Sequence, residues 1–209
     1  MNREALVRRL IITQNMTVDG AVEMLDDWFE PQAQADQSDL TEENRRQDRA
    51  ADALLLGRQT FEDFRGYWRD IGDDDATGVG EYLNSVAKYV VSSSLDDPQW
   101  AGTTVLRGDP VEEIRALKQA AGRDIVLTGS LALADTVISV GLVDEYRFFV
   151  YPTAQARGRR LFPEGSATRL SLVEARAFDS GIVLLRYAPA AVTGRAGGPW
   201  PTPRAENRP

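Results

Sequence analysis

Three short apolar runs limit what this chain can fold into. Ala53–Leu56 ends on Gly57-Arg58-Gln59-Thr60, the run in AKYVV ends at Val91 on Ser92-Ser93-Ser94, and the run in DIVL ends at Leu127 on Thr128-Gly129-Ser130. Short apolar runs bounded by small or polar residues read as buried strands. Two of them lead straight into helical patterns. Strand, tight turn and helix in repetition make an α/β protein with a mostly parallel sheet. In such sheets ligands sit outside the carboxyl ends of the strands, where glycine lets a ligand approach the backbone and helix amino termini offer free N–H groups.

The other elements agree with this class. A first strand is expected at Leu10–Gln14, followed by a loop from Asn15 to Gly20. A polar loop from Glu30 to about Leu40 leads to a helix over Thr41–Ala51. Thr60, with Asp63 three residues on, reads as a helix cap. The acidic stretch DIGDDDATGVG (70–80) reads as an exposed loop. Asp109-Pro110-x-Glu112 opens another helix. Ser130 caps a helix reaching to about Gly141, and Glu145–Tyr151 is a strand. LSLVEARAFDSGIVLLRYAP gives two strands around the turn Asp179-Ser180-Gly181. Residues 1–189 thus form one domain. Residues 190–209, rich in proline and glycine, are expected to be a disordered tail.

Composition removes whole classes of chemistry. The 209 residues include no cysteine and no histidine, which excludes thiolate nucleophiles, thiolate zinc sites and histidine-based triads. A net charge of −8 repels nucleic acid. No apolar stretch approaches bilayer length and no secretory signal is evident, so no membrane association and a cytoplasmic location are expected. The acids Asp73–Asp75 have no ligand spacing, and no metal is expected.

Arg58 offers a fixed cation beside the first glycine turn, suited to a phosphate. Each turn is also what simple capping needs, and Arg58 alone is equally a surface arginine. Neither a G-x-G-x-x-G nor a G-x-x-x-x-G-K-[ST] pattern is present. The order of the three junctions is more specific than any one of them.

That order, with TVDGAVE, LLLGRQTFEDF, KYVVSSSL, DIVLTGSLALADTVI, GLVDEYRFFVYPTAQARGRRLFPEG and FDSGIVLLRY, resembles the dihydrofolate reductase superfamily. Within it, the chain is similar to the reductase domain of riboflavin biosynthesis. The resemblance covers about Leu10 to Pro189. It implies a mostly parallel central sheet flanked by helices, an antiparallel C-terminal hairpin, and NADPH bound along the strand ends. Gly57, Arg58 and Thr60 would hold cofactor phosphates, and Ser92 and Ser93 would lie by the adenosine 2′-phosphate. Thr128, Gly129, Ser130 and Leu131 would face the pyrophosphate, and Asp19 and Gly20 would border the nicotinamide and the substrate. The expected activity is NADPH-dependent hydride transfer to a small planar heterocycle, pterin-like or pyrimidine-like. The alternative is a non-catalytic nucleotide- or flavin-binding module on the same fold. Without histidine the proton must come from a carboxylic acid, a tyrosine, a lysine or water; the candidates are Asp19, Glu23, Asp26, Asp27 and Tyr151, with Asp19 and Asp27 foremost. Asp26 and Asp27 read also as solvated loop acids, and Asp-Gly at 19–20 as a plain turn. Trp28 and Tyr151 are expected against the substrate, and Trp28 reads also as simple packing. Arg159 or Arg160 either pairs with an anionic substrate or is solvated. The resemblance alone implies a homodimer.

Overall fold

The computed structural model describes residues 7–25, 35–71, 78–162 and 167–190. Among the described residues eight strands and five helices follow one another: β1 (Leu10–Thr17), α1 (Ser38–Ala50), β2 (Ala51–Gly57), α2 (Arg58–Trp68), α3 (Val79–Ser85), β3 (Ala87–Val91), β4 (Thr103–Leu106), α4 (Pro110–Gln119), β5 (Asp124–Thr128), α5 (Leu131–Ser139), β6 (Glu145–Tyr151), β7 (Leu170–Ala177) and β8 (Val183–Pro189). They form one sheet in the order β4-β3-β2-β5-β1-β6-β8-β7. β1 to β6 run parallel, and β8 runs against β6 and β7. This is the dihydrofolate reductase-like arrangement, with its antiparallel hairpin at the C-terminal end.

Burial on both faces explains the uninterrupted leucines of β2. Ala53 and Leu55 join Leu10, Ile12, Ile125 and Leu127 under α4 and α5. Leu54 and Leu56 point the other way, toward Phe61 of α2 and Leu83 of α3. Farther along that second face, Leu40 of α1 meets Phe149, Tyr151, Phe178, Ile182 and Leu184. α1 is fastened there by polar contacts as well. Arg147 is 3% exposed and donates to Gln47 Oε1 (3.2 Å) and Glu145 Oε1 (2.7 Å), while Gln47 donates to Glu43 Oε1 (2.7 Å).

Several boundaries differ from the sequence reading. β1 does not stop at Gln14: it stays paired with β6 as far as Thr17 opposite Tyr151. α1 begins at Ser38, three residues early. Thr60 is no cap, because α2 already starts at Arg58 with Gly57 as its cap residue. Val79 and Gly80, read as loop, begin α3, and β4 was not anticipated. The Asp109 cap is confirmed, its carboxylate accepting from the N–H groups of Val111 and Glu112. The Asp179–Gly181 turn is also confirmed, with Gly181 at φ +82°. The tail after residue 190 lies outside the described residues.

Lys88 of β3 is wholly buried, and its ammonium donates to the carbonyls of Val86 (2.8 Å) and Ala101 (3.1 Å) beside the Trp100 ring. Burial pushes its pKa down to about 8. The charged form is therefore disfavoured in the fold, and stability should rise as pH climbs from about 8 toward the unfolded value near 10.4. Urea unfolding should show a gain of about 2 kcal/mol over that window, and Lys88→Met should flatten it. An unchanged slope in the variant would show that the ammonium is hydrated.

Candidate active site at the strand ends

The carboxyl ends of β1, β2, β3 and β5 share one edge of the sheet. There the turn after β2 and the turn after β5 are joined by a reciprocal pair of hydrogen bonds. The Gly57 N–H donates to Ser130 Oγ (2.8 Å), and the Ser130 N–H donates to Thr60 Oγ1 (2.9 Å). Gly129 sits at φ +58°, a conformation suited to glycine. A Cβ on it would lie 2.9 Å from Thr60 Cγ2. Ser130 is also left-handed, at φ 45°.

Because these side chains face one another, neither helix is capped by a side chain. The first N–H groups of α2 and α5 are left to whatever lies outside, each with the positive end of a helix dipole behind it. Two such termini side by side form an anion site. The roles expected from sequence shift accordingly. The N–H groups of Gly57, Gly129 and Ser130 are engaged within the protein, so the donors left for phosphate belong to Arg58 and Leu131 and the residues that follow them. Thr60 and Ser130 act by holding the two termini together. Thr128 ends β5, half-buried and paired with Thr13.

Arg58 is exposed, its guanidinium 3.0 Å from Glu62 one turn along α2. Ser92 is buried, and its Oγ accepts from the N–H groups of Ser94 (3.2 Å) and Leu95 (3.0 Å), shaping the turn after β3. Ser93 is exposed. A second cation accompanies that turn: Arg107, after β4, donates to the carbonyls of Leu95 (2.6 Å) and Ser93 (3.4 Å). The signal for Arg107 was a four-residue strand, Thr103–Leu106, too short to stand out in the sequence.

The loop after β1 departs from expectation. The Asp19 carboxylate accepts from the Thr17 hydroxyl (2.5 Å) and from the N–H groups of Gln155 (3.1 Å) and Ala156 (2.8 Å). The Thr17 hydroxyl and these N–H groups hold its pKa down at about 2. A carboxylate so stabilised remains ionised and braces the loop; it is not poised to deliver a proton. Arg160 donates to the Asp19 carbonyl (2.6 Å), and Arg159 pairs with Glu23 (3.1 Å). Both arginines, read as substrate-binding or solvated, close this loop onto the segment after β6. Tyr151 lies buried in the cluster under α1, and burial raises its pKa. Asp26, Asp27 and Trp28 lie outside the described residues.

The site fits a dinucleotide phosphate: an anion site at a topological switch point, a tight glycine turn, and two arginines on the side toward β3. Among the described residues no cluster of acids could hold a metal, and no helix is long and apolar enough to cross a membrane.

Known proteins share this fold. The Bacillus subtilis (strain 168) protein YyaP, itself uncharacterized, is 29% identical over 185 residues, covering 86% of this chain and 94% of its own. Among solved structures, the Thermotoga maritima diaminohydroxyphosphoribosylaminopyrimidine deaminase/5-amino-6-(5-phosphoribosylamino)uracil reductase superposes with a TM-score of 0.61 at 14% identity, over 88% of this chain and 57% of its own. Enterococcus faecalis dihydrofolate reductase, solved with NADP(H) and RAB-propyl, gives a TM-score of 0.51 at 16% identity, over 87% of this chain and 96% of its own. The model of the RibD C-terminal domain matches residues 8–184, which run from just before β1 to the start of β8 and include the coupled turns and the β1 loop, and the chain belongs to that family.

Proposed function

We propose that this chain is an NADPH-dependent reductase that transfers a hydride to a small planar heterocycle, pterin-like or pyrimidine-like. The observation that carries it is the pair of uncapped helix termini locked together at the ends of β2 and β5. Family membership supports a reductase of this fold, since the Thermotoga relative carries a uracil reductase and the Enterococcus one was solved with NADP(H).

When bound, the cofactor supplies the hydride; the protein orients it and arranges the proton. α2 and α5 would bind the pyrophosphate through their first N–H groups. Arg58, swinging away from Glu62, and Arg107 would face the 2′-phosphate beside Ser92 and Ser93. With Asp19 held ionised and the Tyr151 phenol made a weaker acid by burial, Asp27 is the acid we propose for protonating the substrate, with Trp28 against its ring. A cytoplasmic homodimer is part of the same proposal.

Calorimetric titration with NADPH and with NADH tests this. NADPH should bind with a large preference, and Arg58→Ala should weaken it about tenfold, the effect of about 1.4 kcal/mol, while NADH changes less than about twofold. Equal losses for both would remove Arg58 from the 2′-phosphate. The ionised Asp19 favours a second reading, a module that binds without turnover. NADPH binding with no oxidation across a panel of pterins and pyrimidines would select it.

A further inference from the structure

Gln14 is a polar residue in the apolar run of β1, and it is 7% exposed. On β1 it follows Leu10 and Ile12 on the face toward α5 and pairs with Phe148 of β6. Its Oε1 accepts the Gly129 N–H at 3.2 Å. That bond fixes which end of the amide faces the β5 turn and leaves the Nε2 group with no protein acceptor among the described residues. Nor is this nitrogen walled in. The only fully enclosed side-chain polar atom without a partner in the described residues is Ser180 Oγ, so the Gln14 amide nitrogen stands at an opening.

The strand register shows what opens there. β1 pairs with β5 only from Leu10 to Thr13, where β5 ends at Thr128 and turns away into α5. β1 continues beside β6 to Thr17. From Gln14 onward, therefore, one side of β1 has no strand beside it. The slot adjoins the α5 amino terminus, and its inner corner carries an unpaired N–H donor.

Position along the edge identifies the ligand group. Arg107 and Ser93 stand at β3 and β4, the coupled helix termini at β2 and β5, and the slot at β1. Three strand intervals from β3 to β1 span about 14 Å. A dinucleotide laid along this edge with its ribose phosphate at β3 and its pyrophosphate between the helices places its ring at β1. A flat ring there must offer an acceptor, because a buried amide donor left unpaired is costly.

We propose that Gln14 is a positioning residue whose Nε2 donates a hydrogen bond to the carboxamide oxygen of the nicotinamide ring, while its Oε1 holds the Gly129 turn. This rests on the reading of the edge as an NADPH site. Gln14→Glu keeps an acceptor for the Gly129 N–H and removes the donor. Calorimetry of wild type and variant would use two probes: NADPH, and adenosine 2′,5′-bisphosphate, which has no nicotinamide ring.

The expected result is an NADPH dissociation constant raised about tenfold or more, with adenosine 2′,5′-bisphosphate within about twofold of wild type. NADPH binding unchanged in the variant would overturn the proposal and leave the cofactor site intact. Equal weakening of both probes would overturn it differently, showing that Gln14 acts only through the Gly129 turn. Failure of wild type to bind either probe would instead remove the underlying cofactor reading, and Gln14's role with it. If the glutamate prevents folding, wild type is titrated instead with an NADPH analogue that lacks the carboxamide group, and binding as tight as that of NADPH would overturn the proposal.

Discussion

Gly129→Ala should weaken NADPH binding by about a hundredfold, roughly 3 kcal/mol. Two effects add. A non-glycine residue at φ +58° costs about 1 kcal/mol or more. The new Cβ would also meet Thr60 Cγ2 at 2.9 Å and Thr60 Oγ1 at 3.2 Å. Relief requires Thr60 to move, and Thr60 Oγ1 is the acceptor for the Ser130 N–H. Losing that bond separates the amino termini of α2 and α5, and with them the paired donors proposed for pyrophosphate. The clash falls on the Thr60 methyl, so it can be removed independently. Adding Thr60→Ser to Gly129→Ala keeps the hydroxyl and deletes Cγ2, and should recover about half of the lost binding energy. Calorimetry on both variants would check this. A single variant that binds NADPH as wild type does would show that the junction does not hold the phosphates.

The second large effect concerns stability. Glu145 opens β6, is 5% exposed, and accepts from Arg147 Nε (2.7 Å), Arg186 Nε (2.9 Å) and Arg9 Nη1 (3.1 Å). Burial alone would raise its pKa, but the hydrogen bonds from Arg186 and Arg147 outweigh that and hold it below the usual glutamate range. Glu145→Gln keeps one amide acceptor but removes the carboxylate charge, leaving Arg147 a buried cation without its counter-ion. Removing one member of a buried pair costs about 3–5 kcal/mol, so the midpoint of thermal unfolding should fall by roughly 6–20 °C. The pH dependence follows from the direction of the shift. A depressed carboxylate pKa contributes stability that is present above the unfolded value, near 4.3, and is lost as pH falls through the folded one. The gap between wild type and Glu145→Gln should therefore close on acidification below about pH 4.5. A gap that stays constant to pH 3 would mean that the fold does not lower the pKa of Glu145.

Much of the fold was legible from local signals. Three leucines in β2 announced burial on both faces, Asp109-Pro110 announced a helix start, and Asp179-Ser180-Gly181 announced a hairpin. Each depends on residues within one or two turns of one another, and their physics is the same wherever the segment sits. The errors arose where tertiary pairing decides. β1 runs three residues beyond Gln14 because β6 continues to pair with it. β4 exists because β3 supplies an edge for a four-residue segment.

The site divides in the same way. Gly57, Thr60, Gly129 and Ser130 could be picked out from the sequence because small and hydroxyl residues at strand-to-helix turns suit close backbone approach. Their tasks could not, because the Thr60 hydroxyl finds its partner 70 residues away, the Gly57 N–H finds one 73 away, and Gln14 reaches Gly129 across 115. The same holds for Asp19, whose Asp-Gly turn reads alike whether its carboxylate meets substrate or the N–H groups of Gln155 and Ala156. The sequence by itself determined which segments become strands and helices and which turns stay open to a ligand, because backbone propensity and burial pattern act locally. Only the tertiary structure decided which of those turns face each other and which donors remain free, because hydrogen bonds between distant segments depend on strand order and register.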